Sequence, residues 1–512
     1  MAGSSRRFHK AGYQGPKALL NVGDKQMIEH VINMFDPTSC RYHIVINNEQ
    51  LEYCPDLIDD LIQLASSVKV IVIDKHDLGP VYSALQVKSI ADKEEVIISY
   101  CDFIVEWNYA LFLRHVSGQD GCVVSFKGFH PASFGTTLYA YMKVDGEQMY
   151  ELREKESFTN KQTEEHASTG IYYFKNYGIF KKYGQKWLSK KDTALPEVYV
   201  SLLYNDMVKD HLSVIIHQVK KFICLGTPDD YEQYQFWWKY FVCKQKSWST
   251  PKHYSKRIGM IPMAGRGSRF RDYGYRVAKP LIQINGNPMI FGILNSMPQQ
   301  DQWIFLPRQE DIDHHPIERT LRSFSGNCII HGVKEQTSGQ AATCMLAKDQ
   351  IEDNAELMIA SADYEQRYNP ELWQKIIENQ EIDGAIWTYR STSKVLKNPE
   401  MFAYCQVEKD GVSVSRVVEK QTISDNPNFD PLVVGTFWYR RASDFKLAAK
   451  NLIDNDIRIN SEHYVGTSIN YLIEKGKRFV IFDINQWISF GDPFELQILE
   501  YWQDFFQKQS TY

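Results

Sequence analysis

Several features that define large classes of protein are missing from this chain of 512 residues. It has nine cysteines but no Cys-x-x-Cys pair, and an odd, scattered set of this kind indicates reduced thiols in a cytosolic compartment. No apolar run approaches the roughly 18 residues of a membrane span, and the basic segment 1–10 lacks the apolar core of a secretory signal. We therefore expect a soluble, cytoplasmic protein.

An excess of charge is absent as well. The 58 Lys and Arg residues nearly balance the 63 Asp and Glu residues, so neither a nucleic-acid surface nor a membrane surface is expected. With 29 Gly and 19 Pro, the chain has too little of either residue for a collagen-like or low-complexity protein. It does contain 43% hydrophobic and 13% aromatic residues, which is enough material for large cores.

Length alone predicts about three domains, at roughly 150 residues each, but an internal repeat predicts two. The segment 1–8 (MAGSSRRF) returns as 263–270 (MAGRGSRF), at an offset of 262 residues. Further matches, at offsets of 260 to 265, join Lys17 to Lys279, Gly79 to Gly339, Asp102 to Asp363, Glu154 and Lys155 to Glu419 and Lys420, and Gly170 to Gly435. We predict two copies of one domain, at 1–242 and 257–512, with a linker at 243–256.

Strand-like and helix-like patterns alternate within each copy. Runs rich in β-branched and other apolar residues lie at 42–46, 68–73, 96–99, 303–306, 328–331 and 357–359, and helical patterns at 57–65, 80–90 and 340–351. This alternation predicts an α/β fold with two tandem Rossmann-like open sheets, mixed but mostly parallel. A strand at 258–262 precedes the glycine-rich turn of the second copy, whereas the first copy begins at Met1 inside its turn. We expect a truncated start, with an internal Met read as the initiator.

The glycine-rich turn after 258–262 suits a triphosphate. Glycines let backbone N–H groups approach phosphate oxygens, and Arg269 and Lys279 supply positive charge. An isolated Gly-x-Gly is more often a plain turn between a strand and a helix. The spacing of ten residues from Arg269 to Lys279, repeated from Arg7 to Lys17, favours the phosphate-binding interpretation.

These motifs carry a family resemblance. The segments MAGRGSRF, GY, KPLI and NPMI, in that order, resemble the opening of the nucleotidyltransferases that activate sugar phosphates. That family includes nucleoside-diphosphate-sugar pyrophosphorylases, phosphocholine-type cytidylyltransferases and MobA-like proteins. The resemblance extends over both copies, and it implies the nucleotide-diphospho-sugar transferase type of fold.

The resemblance also implies roles for individual residues. In the second copy it assigns nucleotide binding to Ala264, Gly265, Arg266, Gly267, Ser268 and Gly339, catalysis to Arg269, Lys279, Asp363 and Lys420, and acceptor binding to Glu419 and Gly435. In the first copy the corresponding residues are Ala2, Gly3 and Gly79, then Arg7, Lys17, Asp102 and Lys155, and finally Glu154 and Gly170. Asp363 and Asp102 would hold Mg²⁺, as one or two ions. Without the motifs, a strand-end Asp is as often a solvated residue as a metal ligand, and a Glu-Lys pair is nearly always a surface feature.

The chain departs from the family pattern in two places. Many members have a second metal-binding Asp where this chain has Ser489 and, in the first copy, Cys224. Either one Asp serves the metal or a neighbour such as Asp492 substitutes. In the first copy Ser5 and Arg6 replace Gly267 and Ser268, so that copy is either active with another specificity or a degenerate partner; the surviving charged positions favour activity.

The resemblance implies that an NTP and a sugar phosphate, or a related alcohol phosphate, condense to an NDP-activated product and pyrophosphate. The product would serve surface polysaccharide or glycan precursor synthesis. One alternative is a nucleotide-sugar-dependent glycosyltransferase, although neither Asp102 nor Asp363 belongs to an Asp-x-Asp motif. Another is a nucleotide-binding regulatory protein with one degenerate half. The expected partners are the NTP and the phosphorylated acceptor, and the halves either pack together or the chain oligomerises.

Overall fold

The computed structural model describes residues 1–134, 139–190, 197–243, 255–284, 286–390 and 398–509. The chain divides into two compact units, the first of Met1–Val242 with Asp504–Tyr512 and the second of Cys243–Gln503. Most of the predicted linker, residues 244–254, lies outside the described residues, and the predicted domain boundaries stay a prediction. In the described part of the chain no helix is both long and apolar enough to cross a membrane.

The strands before residue 243 are β1 (Asn21–Val22), β2 (Lys25–Gln26), β3 (Tyr42–Asn47), β4 (Val68–Ile73), β5 (Val96–Ser99), β6 (Phe103–Glu106), β7 (Gly121–Phe126), β8 (Ala140–Asp145), β9 (Gln148–Glu154), β10 (His166–Phe174), β11 (Val214–Gln218) and β12 (Lys221–Cys224). The helices before residue 243 are α1 (Arg6–Lys10), α2 (Met27–Asn33), α3 (Glu49–Tyr53), α4 (Leu57–Ile62), α5 (Pro80–Leu85), α6 (Tyr109–Val116), α7 (Tyr177–Leu188), α8 (Leu203–Lys209) and α9 (Pro228–Phe241).

The strands after residue 243 are β13 (Arg257–Met263), β14 (Gln283–Ile284), β15 (Asn287–Pro288), β16 (Gln302–Pro307), β17 (Cys328–Ile330), β18 (Glu356–Ala360), β19 (Tyr364–Arg367), β20 (Gly384–Tyr389), β21 (Ala403–Val407), β22 (Val414–Glu419), β23 (Leu432–Tyr439), β24 (Phe479–Asp483) and β25 (Gln486–Ser489). The helices after residue 243 are α10 (Ser268–Asp272), α11 (Met289–Asn295), α12 (Gln309–His314), α13 (Ile317–Phe324), α14 (Gln340–Met345), α15 (Pro370–Glu378), α16 (Ala442–Asp454), α17 (Val465–Glu474) and α18 (Pro493–Gln509).

The large sheet of the second unit has the order β17-β16-β13-β18-β23-β20-β24, with β21 attached to β23 and β22 attached to β21. Strand β13 lies inside the sheet, because it pairs in parallel with β16 on one side and with β18 on the other. Met260 and Ile261, which point to opposite faces of β13, are both fully buried, as expected for a strand that is covered on both faces. One hydrophobic core lies on each face of the sheet, and the core that includes Ile258 extends continuously from β16 to β23.

The first unit follows the same plan with one element absent. Its strands β5-β10-β7-β11-β9-β8 form one sheet, and β3 and β4 form a separate parallel pair. By sequence offset β3 corresponds to β16 and β5 to β18, so the place of β13 lies between them. The described residues of this unit form no strand between β3 and β5.

The fold is mixed α/β, and the prediction of mostly parallel sheets is wrong for the first unit. Five strand pairings in its six-stranded sheet are antiparallel, and each involves β10 or β9, whereas only β7 and β11 run parallel. The reason is that β7 to β10 follow one another without a crossover α-helix, and strands joined by short connections run antiparallel. Two helices also end before their predicted limits, at Leu85 and Met345, because the next turn tightens to i→i−3 hydrogen bonds.

Candidate functional site

The glycine-rich turn of the second unit leaves the end of the central strand β13. Gly265 and Arg266 are exposed, and Gly267 adopts a left-handed φ of +57° just before α10. A Cβ at Gly267 would lie 3.6 Å from the Cβ of Lys279, so the turn folds against that lysine. The backbone of an open turn beside a lysine can accept an anion.

The first unit keeps the same turn with a different residue. Ser5 stands at the position of Gly267 and adopts a φ of +50°, which is uncommon for a residue with a side chain. The Ser5 Oγ accepts a hydrogen bond of 3.1 Å from the backbone N of Lys17. Ser5 therefore preserves the left-handed turn and its contact with Lys17. The sequence comparison alone did not predict this.

A lysine and an aspartate form an ion pair at the same place in both units. The Nζ of Lys279 lies 3.2 Å from Oδ2 of Asp363, and the Nζ of Lys17 lies 2.5 Å from Oδ2 of Asp102. Each aspartate directly follows the strand next to the position of β13, and each lysine follows the glycine-rich turn. The fold thus brings together two residues that are 84 or 85 positions apart.

Burial and nearby negative charge act on Lys17 in opposite directions. Burial lowers its pKa, but the charge of Asp102, its hydrogen bond to Lys17 and the neighbouring Cys101 and Cys224 together outweigh burial, so the pKa of Lys17 is raised overall. Lys17 is therefore a stable cation at neutral pH. In the second unit Lys279 also lies 3.5 Å from the carbonyl oxygen of Gly491, which holds it between the strand end and the turn after β25.

The two predicted arginines lie farther out. Arg269 is exposed, and its nearest acidic partner is Asp492, at 3.8 Å between Nη1 and Oδ2. Arg7 is exposed at the equivalent position of the first unit. Neither arginine contacts the lysine–aspartate pair, so each is free to turn toward an anion that approaches from solvent.

Gly79 and Gly339 directly precede helices α5 and α14. A side chain at either position would collide with the backbone of another loop. Gly339 has a φ of +130°, and a Cβ there would lie 2.5 Å from the backbone N of His463. Gly79 has a φ of +90°, and its Cβ would lie 2.7 Å from the backbone N of Val198. In both units the loop that contains Val198 or His463 forms backbone hydrogen bonds with the turn before the helix.

The predicted acceptor residues form a second repeated group. Lys155 and Lys420 follow strands β9 and β22 with left-handed φ values of +58° and +56°. The Nζ of Lys155 donates to the hydroxyl of Tyr199 at 2.6 Å, and the Nζ of Lys420 donates to the carbonyl of Met401 at 2.5 Å. Such backbone conformations cost energy and persist where the surroundings enforce them.

Gly170 and Gly435 lie beside the loops that present the aspartates. Their φ values are +99° and +85°, and a Cβ at Gly435 would lie 3.0 Å from Ser361 Oγ and from the Tyr364 hydroxyl. Ser361 and Tyr364 flank Asp363 in the sequence. The left-handed position within β23 therefore packs directly against the loop that presents Asp363.

A cavity of about 820 Å³ joins several of these positions in the first unit. Of the predicted residues, those that line it are Ala2, Gly3, Lys17, Gly79 and Asp102. Glu154, Lys155, Gly170 and Arg7 are not among its lining residues, although Tyr199, the hydrogen-bond partner of Lys155, is. The predicted nucleotide side of the site is thus one continuous space.

Two family models match the chain, one in each half. Residues 1–161 match the MobA-like NTP transferase domain, and residues 258–511 match the nucleotidyl transferase model. The chain belongs to the NTP transferase family. It contains that family's domain twice, in tandem, as the internal repeat predicts.

Solved structures similar to this NTP transferase include sugar-nucleotide enzymes. A nucleoside-diphosphate-sugar pyrophosphorylase from Vibrio cholerae RC9 is 22% identical, with 48% of this chain and 99% of that chain covered and a TM-score of 0.39. The inositol-1-phosphate CTP transferase from T. maritima is 13% identical, with 49% and 96% covered and a TM-score of 0.38. A UDP-glucose pyrophosphorylase complexed with UDP-glucose is 14% identical, with 49% and 99% covered and a TM-score of 0.39. Among curated proteins, none matches this chain.

The NTP transferase has hydrogen-bond donors where a second metal-binding Asp is common in the family. The Oγ of Ser489 donates to Glu495 at 2.8 Å, and the Sγ of Cys224 donates to Asp230 at 3.3 Å. Asp492, the suggested substitute, accepts a hydrogen bond from the backbone N of Glu495. Across the described residues, no group of three His, Cys, Asp or Glu side chains could hold a metal ion.

Sequence reasoning missed Tyr199 and Tyr464, which lie beside Lys155 and Lys420, the two lysines predicted to bind the acceptor. The Nζ of Lys155 lies 4.6 Å from the ring centre of Tyr199, and that of Lys420 lies 5.6 Å from the ring centre of Tyr464. The tyrosines are themselves a repeat match, at an offset of 265 residues. Extending the repeat alignment to every aromatic residue would have found them.

The G339A variant of the transferase should be strongly destabilised. The methyl group of alanine would overlap with backbone atoms of His463, and the alanine would have to adopt a left-handed φ. We therefore expect a loss of about 2–4 kcal/mol in the free energy of unfolding. Chemical denaturation of the full chain measures the change. The matched control is G326A, where φ is not left-handed and a Cβ would have nothing within 4 Å. Equal stability of the two variants would contradict the packing described for Gly339.

The carboxyl group of Glu419 should make the stability of the transferase depend on pH. Burial raises the pKa of Glu419 to about 7, and Lys420 opposes this only in part. The folded state then binds the proton more tightly than the unfolded state, so the free energy of unfolding falls as pH rises from about 4.5 to about 7. The loss is complete above pH 7 and amounts to about 3 kcal/mol.

The variant E419Q tests this dependence. Its Tm should exceed that of the wild type at pH 8, and the difference should shrink toward pH 5, because the uncharged amide needs no proton. E408Q is the matched control, since Glu408 is exposed in the same hairpin of β21 and β22 and should leave the pH profile unchanged. The same pH profile for wild type and E419Q would show that Glu419 is not the responsible group.

Proposed function

We propose that each unit transfers a nucleotidyl group from an NTP to the phosphate of a sugar phosphate, or of a related alcohol phosphate, and releases pyrophosphate. The observation that supports this best is the lysine–aspartate pair at the mouth of the glycine-rich turn, because it recurs in both units. Two copies that differ at Ser5 and Gly267 still preserve this charge arrangement. A substrate with several phosphates would find backbone N–H groups in the turn and positive charge on the lysine and the exposed arginine, next to the aspartate.

The reaction needs positioning and charge neutralisation more than covalent chemistry. An oxygen of the acceptor phosphate attacks the α-phosphorus, a new P–O bond forms, and the bond from the α-phosphorus to the oxygen that bridges to the β-phosphorus breaks. Pyrophosphate leaves with the electron pair of that bond. Lys279 and the exposed Arg269 would stabilise the negative charge on it, and Gly265 and Gly267 would offer backbone N–H groups to the phosphates.

The donor set at Asp363 fits Mg²⁺. The ion prefers one or two carboxylates together with phosphate oxygens and water, and the Asp363 side chain is 42% exposed at a strand end, where phosphates can reach it. When bound, Mg²⁺ neutralises phosphate charge and polarises the α-phosphate. Asp363 would hold the ion, and Asp102 would do so in the first unit, while the lysine of each pair turns to the substrate.

The second repeated group supports an acceptor site. Lys420 and Lys155 place ammonium groups next to tyrosine rings, and the glycines at 435 and 170 pack the same region against the aspartate loop. A phosphate on the acceptor would pair with the lysine, and a tyrosine edge suits the apolar face of a sugar or polyol. The product would be an NDP-activated precursor for surface polysaccharide or glycan synthesis, made in the cytoplasm, where the nine free thiols would remain reduced.

The test is pyrophosphate release by the full chain. Four NTPs are combined with sugar, polyol and choline-type phosphates, and the screen is run on wild type, K17A, K279A and the double variant. We expect each single variant to lose the reactions of one unit and the double variant to lose all of them. Binding of NTP without turnover of any acceptor would instead indicate a nucleotide-sensing protein, and hydrolysis of a nucleotide sugar with transfer of the sugar would indicate a glycosyltransferase.

A further inference from the structure

An asparagine holds the strand of the second repeated group in the same way in both units. Asn205 accepts a hydrogen bond of 2.9 Å from the backbone N of Leu152 and donates one of 2.8 Å to the carbonyl of Leu152. Asn470 makes the same two bonds with Val417, at 2.8 and 2.9 Å. Both pairs of residues are related by the offset of 265, so helices α8 and α17 lie in the same register against strands β9 and β22.

Within this common register one position differs, and it faces a carboxyl group. The residue is Ser201 in the first unit and Gly466 in the second, again at an offset of 265. Ser201 is fully buried, and its Oγ donates a hydrogen bond of 2.5 Å to Oε2 of Glu154. A Cβ at Gly466 would lie 2.6 Å from Oε1 of Glu419. The carboxyl group of Glu419 therefore occupies the space that a side chain at 466 would need.

The surroundings of the two carboxyl groups differ in the same sense. Burial, and then the charge of Glu154, raise the pKa of Tyr172, so the hydroxyl group of Tyr172 lies near that carboxylate. The residue at the repeat position of Tyr172 is Phe437, which has no hydroxyl group. A Cβ at Gly466 would lie 3.6 Å from Phe437 and 3.1 Å from Val417. The second unit thus surrounds its carboxyl group with apolar side chains where the first unit has hydroxyl groups.

The carboxyl group of Glu419 has hydrogen-bonding capacity that its own unit does not use. In the described part of the chain, no donor forms a hydrogen bond with it, and burial raises its pKa to about 7 while Lys420 opposes this in part. Its side chain is half-buried and not enclosed, so a ligand held by Lys420 can reach it. A hydroxyl group on such a ligand would provide the donor that the carboxylate lacks.

We propose that the residue at 201 or 466 determines which class of acceptor each unit takes. Gly466 leaves the carboxylate of Glu419 open to a hydroxyl group of a sugar or polyol phosphate. Ser201 gives the equivalent hydrogen bond to Glu154 from inside the protein, so the first unit takes an alcohol phosphate without a hydroxyl group at this point. The inference rests on the proposed function, because it concerns the acceptor of the same reaction. Ser201 acts through Glu154 and is a positioning residue.

Three acceptor probes test the proposal by calorimetric titration of the full chain. Glucose 1-phosphate and ribitol 5-phosphate present several hydroxyl groups, and phosphocholine presents none. A K420A background reports on the first unit and a K155A background on the second, because each change removes the lysine predicted to hold the acceptor phosphate in the other unit. The measured quantity is the affinity for each hydroxylated probe divided by the affinity for phosphocholine.

The S201A variant in the K420A background should raise this ratio by about tenfold or more. The carboxylate of Glu154 loses its internal donor, and a hydroxyl group of the ligand takes that place. The matched control is S125A, since Ser125 is also fully buried but its Oγ pairs with His166, at 3.3 Å. We expect the control ratio to stay within about twofold of the parent, because the change is independent of the carboxylate.

The reciprocal variant is G466S in the K155A background. The carboxyl group of Glu419 is the end of a flexible side chain and can move aside for the serine, whose hydroxyl group then becomes its donor. We expect the ratio to fall by about tenfold or more. Circular dichroism shows whether G466S folds, and if it does not, the result for S201A decides.

An unchanged ratio for S201A would overturn the proposal. An equal change for S125A would do the same, because it would show a general effect of losing a buried hydroxyl group. Absence of binding of all three probes at concentrations up to about 10 mM would also overturn it. Pyrophosphate release is followed in the same samples after addition of NTP and Mg²⁺. Shifted ratios without pyrophosphate release would support the role of residues 201 and 466 and refute the transfer reaction, whereas release with unchanged ratios would refute this inference alone.

Discussion

The K279A variant should lower pyrophosphate release from the second unit by about 10²–10³-fold, because it removes the cation that lies at the mouth of the glycine-rich turn. The ammonium group is mostly buried and fixed between Asp363 and the Gly491 carbonyl, so no reorganisation is needed for it to meet developing charge. The measurement is a steady-state rate in a K17A background, which silences the first unit.

The matched control is K256A in the same background. Lys256 also forms an ion pair, with Glu352 at 2.8 Å, but it lies at the opposite end of β13, and the two side chains are 37% and 66% exposed. We expect its rate to stay within about twofold of the parent, since exposed pairs contribute little. A K279A rate within tenfold of the control would refute the role given to Lys279.

The D363N variant should lower the same rate by about 10³-fold. The change keeps the shape of the side chain and removes the negative charge that would hold Mg²⁺, so binding of the ion and neutralisation of phosphate charge fail together. The rate is measured in the K17A background over a series of Mg²⁺ concentrations. We expect the loss to persist across the series, or the activity to return only at Mg²⁺ concentrations far above those that the parent needs.

The D353N variant serves as the control for charge removal alone. Asp353 pairs with Lys446 at 2.6 Å on an exposed surface of the same unit, and its loss should leave the rate and the Mg²⁺ dependence unchanged. A D363N protein that keeps the parent's rate and Mg²⁺ response would exclude Asp363 as the metal ligand. K279A and D363N are also distinguishable, because only D363N should shift the Mg²⁺ requirement.

The repeat made much of this architecture predictable. An offset that changes by only a few residues over half the chain identifies the equivalent segments of the two copies. In the structure the matched residues form the equivalent ion pairs Lys17–Asp102 and Lys279–Asp363. The strand positions followed from runs of β-branched residues. The α/β class followed from the alternation of such runs with helical patterns.

Other features depend on packing that a one-dimensional pattern does not contain. The prediction of mostly parallel sheets was wrong for the first unit because strand periodicity is the same in parallel and antiparallel sheets. The left-handed backbone at Ser5, Lys155 and Lys420 was missed because it is imposed by contacts across the fold, not by local residue preference. The hydrogen-bond partners of Ser489 and Cys224 lie six residues farther along the chain, in the first turn of the next helix. Motif spacing identified the two positions but not these partners.

The continuous core around β13 also bears on how the second unit unfolds. One core extends from Ile304 of β16 through Ile258 to Leu357 of β18, so these strands lose their packing together. Cooperative unfolding requires shared contacts, so the backbone amides of β16, β13 and β18 should exchange with solvent together, and only when the whole core opens. The strand that leads into the glycine-rich turn would thus be among the last elements of its unit to open.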